Sequence, residues 1–266
     1  MGPLYTHTRK TIVAGSIVVQ ALYPRRCRGD SDKVRAAKNK ATSEAQRRLN
    51  LEHSWQKLEL LLAANFPTAG SGLVIELTYD DDHLPQNRAQ ARRRLAYFLK
   101  RLREERKAAG LPAPRVVHNI EALSSASGRW HHHIVLDNTG RDMEIVRRCW
   151  IYGSDIECRK LRVDKEKNHE TLAKYMSKEP RECQDETSRP GLHAWSYTRN
   201  CLKPTVEVEP VEADANIDPP EGVTVLADEQ RAPEYASWRV VKYRVDKGCF
   251  ARPPRARRRR RVRRFL

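Results

Sequence analysis

Apolar and polar positions alternate along this chain in two different rhythms. TIVAGSIVVQALY (residues 11–23) is rich in β-branched residues and predicts a strand or a hairpin turning at Gly15-Ser16. Residues 33–64 predict a helix, because Leu51, Trp55, Leu58 and Leu62 recur at helical spacing among Lys, Arg, Glu and Gln. Asn65 and Pro67 stop it. GLVIELTY (residues 72–79) predicts a strand. Residues 87–109 predict a second helix with Leu95, Phe98, Leu99 and Leu102 on its apolar face, closed by Gly110 and Pro112. RVVHNIEAL (residues 115–123) and WHHHIVL (residues 130–136) predict two strands joined by the turn SSASG. A short helix at 142–150, a strand at 155–163 and a helix at 168–177 follow, the last with Asn168 as its N-cap and Glu170 in its first turn.

The order is β-α-β-β-α-β and then a further helix. This predicts an α+β fold of the ferredoxin-like, split-βαβ kind, an antiparallel sheet with helices packed on it. Four regions are expected. Residues 1–66 form a strand or hairpin and a long helix that pack on the core, and residues 67–205 form the core itself. Residues 206–236, opening VEVEPVEADANIDPPE, read as an acidic, Pro-containing linker or loose surface segment. Residues 237–266 offer one more strand, SWRVVKYRV, and then the Arg-rich run ARPPRARRRRRVRRFL, expected to be a disordered polycation.

Composition narrows the partners. The formal net charge is +17 over 266 residues, which points to a polyanion, nucleic acid before an acidic membrane surface. Six cysteines stand at irregular spacing with no CxxC pair, as expected of free thiols in a reducing compartment. No segment approaches the ~20 apolar residues of a membrane span, and the first residues lack a secretory apolar stretch. The expectation is a cytoplasmic protein.

The chemistry concentrates in GRWHHHIVL (residues 128–136). Side chains alternate along a strand, so His131 and His133 share one face and His132 takes the other. Two imidazoles about 7 Å apart on one face suit shared metal ligation; a hydrogen-bonded surface pair is the other reading. His132 reads as a core residue. Glu121 ends the preceding strand and could complete a two-His-one-carboxylate site with open coordination positions, or be an ordinary strand-end residue; His118 and Asn119 are weaker candidates. Mixed nitrogen and oxygen donors accept Mn²⁺ or Mg²⁺, which bind phosphate oxygens well. In LAKYMSKEP (residues 172–180), Tyr175 and Lys178 stand three apart on one helix face, about 4.5 Å along the axis. A tyrosine phenolate is a capable nucleophile toward a phosphodiester, and a lysine beside it can stabilise negative charge; packing and a solvated helix-end lysine are the alternatives.

The set Gly128-Arg129-Trp130-His131-His132-His133 with Tyr175-x-x-Lys178 resembles the HUH endonucleases, and within them the rolling-circle replication initiators of plasmids, phages and integrated elements. LTYDDDHLP (residues 77–85) and WSYTRNCLKP (residues 195–204) resemble further stretches of that family. The family usually keeps the middle position of its histidine motif hydrophobic, where this chain has His132. The resemblance implies a metal-dependent DNA endonuclease and strand transferase. Its metal would sit on Glu121, His131 and His133, and Tyr175, aided by Lys178, would form a 5′-phosphotyrosine and free a 3′-OH that primes replication. It also implies single-stranded DNA as substrate, a host polymerase, and DNA contacts from Thr78, Tyr79 and Arg129.

Basic residues supply salt-sensitive affinity for phosphates. Arg92, Arg93, Arg94, Lys100, Arg101 and Arg103 load one helix, and Arg255, Arg257, Arg258, Arg259, Arg260 and Arg261 load the end of the chain. Asp80-Asp81-Asp82 reads either as a second metal cluster or as a turn that also caps the helix after Pro85. No GxxxxGK[ST] P-loop is present, so unwinding is expected to need a host helicase. A single-tyrosine transposase or relaxase would share the chemistry. A non-enzymatic nucleic-acid-binding protein with a structural zinc site is the rival from another class, and it is disfavoured because the cysteines are not spaced for zinc.

Overall fold

A computed structural model describes residues 6–25, 44–122, 129–164, 168–177, 194–212, 214–231 and 238–245. The elements in chain order are β1 His7–Ala14, β2 Ile17–Pro24, α1 Glu44–Asn65, β3 Gly72–Leu77, α2 Arg88–Ala108, β4 Val116–Ala122, β5 Trp130–Asp137, α3 Asp142–Cys149 and β6 Ile156–Lys160. They continue with α4 Glu170–Ser177, β7 Trp195–Tyr197, β8 Thr205–Val211, β9 Thr224–Arg231 and β10 Trp238–Arg244.

The central sheet runs β6-β3-β5-β4-β7, with every neighbouring pair antiparallel. Its first four strands are the split-βαβ unit that the β-α-β-β-α-β order predicts: fourth, first, third, second. Strand alternation then sorts the sheet into two faces. Leu73, Ile75 and Leu77 of β3 and Ile134 and Leu136 of β5 meet Leu95, Phe98 and Leu102 of α2 and Ile145 and Val146 of α3. Val117 and Val135 look the other way, toward Leu58, Leu61, Leu62 and Phe66 at the end of α1 and Ala173 and Met176 of α4. Burying such side chains is worth about 1.5–3 kcal/mol each. The periodic helix positions are therefore those that cover a sheet face.

Gly110 follows α2 at φ +69°, as expected, while the N-cap is Asn87, which accepts the Gln90 N–H at 3.0 Å. Because Asn87 is the cap, the Asp80–Asp82 run does not cap α2. Asp80 instead accepts from the backbone N–H and hydroxyl of Ser154, and Asp81 pairs with Arg129.

The predicted hairpin is β1-β2, and it belongs to a second antiparallel sheet, β8-β1-β2-β10-β9. The stretch expected to be a linker or loose surface segment therefore supplies two edge strands. β8 pairs with β1 from Thr205 to Val211, and β9 pairs with β10. β8 is exposed along nearly its whole length, so the ladder to β1, more than an apolar face, holds it. Gly15 seats this sheet on the rest. It turns at φ +59°, and a Cβ there would lie 2.4 Å from the Ala63 carbonyl oxygen of α1. Lys242 of β10 adds a 2.6 Å bond to Glu59 of α1, whose side chain is buried; burial raises the Glu59 carboxyl above its ordinary range and Lys242 opposes it. The front of the predicted 33–64 helix and the Arg-rich run at 255–261 lie outside the described residues.

Candidate active site

β5 lies between β3 and β4, so residues of three strands share each face. The antiparallel register sets Glu76 and Asn119 opposite His133, and Glu121 opposite His131. All of these project toward α4. Their side chains then cross diagonally, as neighbours two residues apart can. Glu76 Oε1 lies 3.2 Å from His131 Nδ1 and its Oε2 3.6 Å from His133 Nδ1. Glu121 Oε2 lies 3.0 Å from His133 Nε2. The Nε2 of His131 is buried without a hydrogen-bond partner.

α4 is held over this cluster by Asn119, whose Nδ2 donates to the Met176 carbonyl at 3.0 Å, and by the buried Ala173 and Met176. Tyr175 is thereby left 41% exposed. Its ring meets His133 edge-on with centroids 5.0 Å apart, and its hydroxyl lies 3.3 Å from His133 Nε2. Burial, followed by the carboxylates of Glu121 and Glu76, raises the phenol above its usual range, while Arg159 opposes that shift. Burial lowers His131 below the ordinary imidazole range, with Glu76 pulling the other way.

Two imidazoles and two carboxylates form a donor set suited to a hard or borderline divalent cation, and the partnerless Nε2 of His131 is an available donor. Among the described residues, however, no three His, Cys, Asp or Glu side chains are already arranged around one ion position. The carboxylates lie against the imidazoles instead, and ligation needs them to turn.

His132 faces the other side of the sheet. It is fully buried, accepts or donates at 2.6 Å with the Tyr79 hydroxyl and packs edge-on with Trp150. Burial lowers its pKa to about 3, with His118, His131 and His133 adding to the effect. It is neutral and structural, which resolves which two histidines share the chemical face.

One expected contact needs correction, and two others are engaged within the protein. Tyr79 is 3% exposed and lies in the core with His132, so it does not face DNA. The Thr78 hydroxyl donates to the Asp155 carbonyl at 2.7 Å and the Thr78 carbonyl accepts from Trp150 Nε1 at 2.8 Å, a structural tie to the approach of β6. Arg129 pairs with Asp81. Arg94 stacks over Tyr152 and Tyr79, at 5.0 and 5.5 Å, and donates to the His83 carbonyl. It therefore leaves the basic face of α2. Lys178 and Gly128 lie outside the described residues.

Sequence reasoning missed Glu76 and Arg159. Arg159 stands opposite Val74 on β6 and lines a narrow cleft with Glu76, His133 and Tyr175. The available signal for Glu76 is its isolation: it is the one charged residue in the otherwise apolar run GLVIEL.

Residues 73–180 match the family model of Replication-associated protein ORF2/G2P. That span contains Glu76, Glu121, His131, His133, Arg159 and Tyr175. No curated protein matches the chain, and no solved structure matches it. Among the described residues, no helix is long and apolar enough to cross a membrane.

Proposed function

We propose that this protein nicks and rejoins single-stranded DNA to initiate rolling-circle replication. The observation that carries the reading is the Tyr175 hydroxyl, placed 3.3 Å from His133 Nε2 at the edge of the His131, His133, Glu76 and Glu121 cluster. A half-exposed phenol beside convergent metal-type donors is an arrangement for attack on a phosphate.

In the reaction, Tyr175 Oη bonds to phosphorus as the P–O3′ bond breaks. The phenol loses its proton and the leaving 3′ oxygen gains one. The products are a 5′-phosphotyrosine and a free 3′-OH, which primes synthesis by a host polymerase. The ester keeps the bond energy, so a later 3′-OH can attack it, release Tyr175 and rejoin a strand. Because Tyr175 is held protonated near neutrality, positive charge near the phosphate is required. Arg159 supplies part of it, and the family resemblance assigns Lys178 the same role. His131 and His133, with Glu121 and Glu76, would hold Mn²⁺ or Mg²⁺, which when bound supplies Lewis-acid polarisation of the scissile phosphate.

The test is a labelled pool of single-stranded DNA incubated with the protein and Mn²⁺. A protein–DNA adduct should survive denaturation. Tyr175→Phe should give none, and the His131→Ala/His133→Ala pair should abolish cleavage while DNA binding persists. An adduct of equal yield from Tyr175→Phe overturns the assignment of the nucleophile. Cleavage retained by the histidine pair overturns the metal site.

A further inference from the structure

On the opposite face of the sheet, a cleft of about 240 Å³ opens between α2 and the β4–β7 edge. The reaction above uses none of its side chains. One wall is apolar: Leu95, Ala96 and Leu99 of α2. Against it stand His118 of β4 and Ser196 of β7. These are directly opposite one another in the antiparallel ladder, so their side chains are neighbours on one face. Arg88 and Arg92 of α2 also line the cleft.

The polar groups are informative. Burial, followed by the charge of Arg92, lowers the His118 pKa to about 4. At neutral pH its imidazole therefore carries one donor and one acceptor nitrogen, not two donors. The Ser196 hydroxyl can do either. A slot with an apolar wall, a paired donor and acceptor, and guanidinium groups has the chemistry of a base and its phosphate. Aromatic bases gain by stacking on apolar surface, their edges need both donors and acceptors, and their phosphates need cations. The volume is below the roughly 300–1,000 Å³ of sites for drug-sized ligands, as suits a single base.

Position adds to this. β4 carries both His118 and Glu121, three residues and about 10 Å apart along the strand. Strand alternation puts His118 and Glu121 on opposite faces of the sheet, so the cleft and the metal-type cluster flank the same strand.

We infer that this cleft holds one nucleotide of the bound single strand, its base against Leu95, Ala96 and Leu99 with its edge on His118 and Ser196, and a phosphate near Arg92. The inference rests on the DNA-strand reading above. It makes the cleft a base-sensitive subsite separate from the metal-type cluster.

The test uses Tyr175→Phe protein, so that binding is measured apart from cleavage. The probes are single-stranded homo-oligonucleotides of each base and an all-abasic oligomer of equal length, read by fluorescence anisotropy. The Tyr175→Phe protein should bind its preferred base-bearing strand about five- to a hundredfold more tightly than the abasic strand, the size of one stacked base. Adding Ala96→Trp, which fills the cleft from an exposed helix position, should remove that difference and leave affinity for the abasic strand unchanged. Arg92→Ala should weaken both and reduce the salt slope by about one.

If Ala96→Trp protein keeps the full base dependence and an unchanged melting temperature, the cleft is not the subsite. If free nucleoside monophosphates saturate the cleft as tightly as the strand does, its ligand is a free nucleotide and the inference fails. Base dependence levelled by Ala96→Trp, in a protein whose Tyr175 form makes no adduct, would uphold the cleft and overturn only the tyrosine chemistry.

Discussion

Arg106 supports the unit that carries the site, and its replacement by Met is a quantitative test of that support. Its side chain has no solvent exposure. The guanidinium donates to Asp137 Oδ1 at 2.9 Å and to Asp142 Oδ1 at 2.8 Å, and also to the Asp137 carbonyl. It thereby ties the end of α2 to the end of β5 and the start of α3. Met has a comparable length and no charge, so the substitution leaves the fully buried Asp142 without a cationic partner and the nearly buried Asp137 with only the Arg115 guanidinium, 3.9 Å away. Removing one partner of a buried pair costs about 3–5 kcal/mol. Asp142 keeps the Thr139 N–H and hydroxyl, and Asp137 keeps the Arg115 N–H, which argues against a larger loss. The expected destabilisation is about 4 kcal/mol, or roughly 8–16 °C in melting temperature for a chain of this size. Urea and thermal unfolding at pH 7 measure it. The triple variant Arg106→Met/Asp137→Asn/Asp142→Asn should recover most of the loss. A loss below about 1 kcal/mol, or a triple variant no better than the single, would refute the account of an ion pair that is costly to break.

Two further outcomes follow from the site and its surroundings. Glu76→Ala should weaken Mn²⁺ binding, read by calorimetry, by about tenfold or more, with little change in melting; unchanged affinity would remove Glu76 from the donor set. Burial lowers the pKa of His169, whose Nε2 bonds the Phe66 carbonyl at 2.8 Å, so its contribution to stability is present above about pH 6.5 and is lost as pH falls through the folded value. His169→Gln should flatten the stability curve below about pH 6.5 relative to the parent, and parallel curves would contradict this.

Much of this architecture is legible in the chain. The split-βαβ order follows from local rhythm, since period-two and period-3.6 patterns arise from backbone geometry that neighbouring residues share. The same local geometry separates His131 and His133 from His132, and Tyr175 stands out as a tyrosine followed by Lys178 on a predicted helix. The second sheet is harder to read. β8 is acidic, exposed and carries Pro210, so its local pattern resembles a linker, and only the ladder to β1, some two hundred residues earlier, makes it a strand.

Tertiary structure decided the partnerships. Glu76 reaches the histidines because β3 pairs with β5 in one register, and a shift of a single residue would send it to the opposite face. Tyr79 and Arg94, both plausible DNA contacts from residue type, are drawn inward by Trp150, Tyr152 and His132, whose positions depend on how α2 and α3 cover the sheet. Residue type and spacing determined which groups could do chemistry and which face of a strand each occupied. Pairing between distant strands determined which of them meet, because that register is set by burial across the whole sheet and not by any local stretch of the chain.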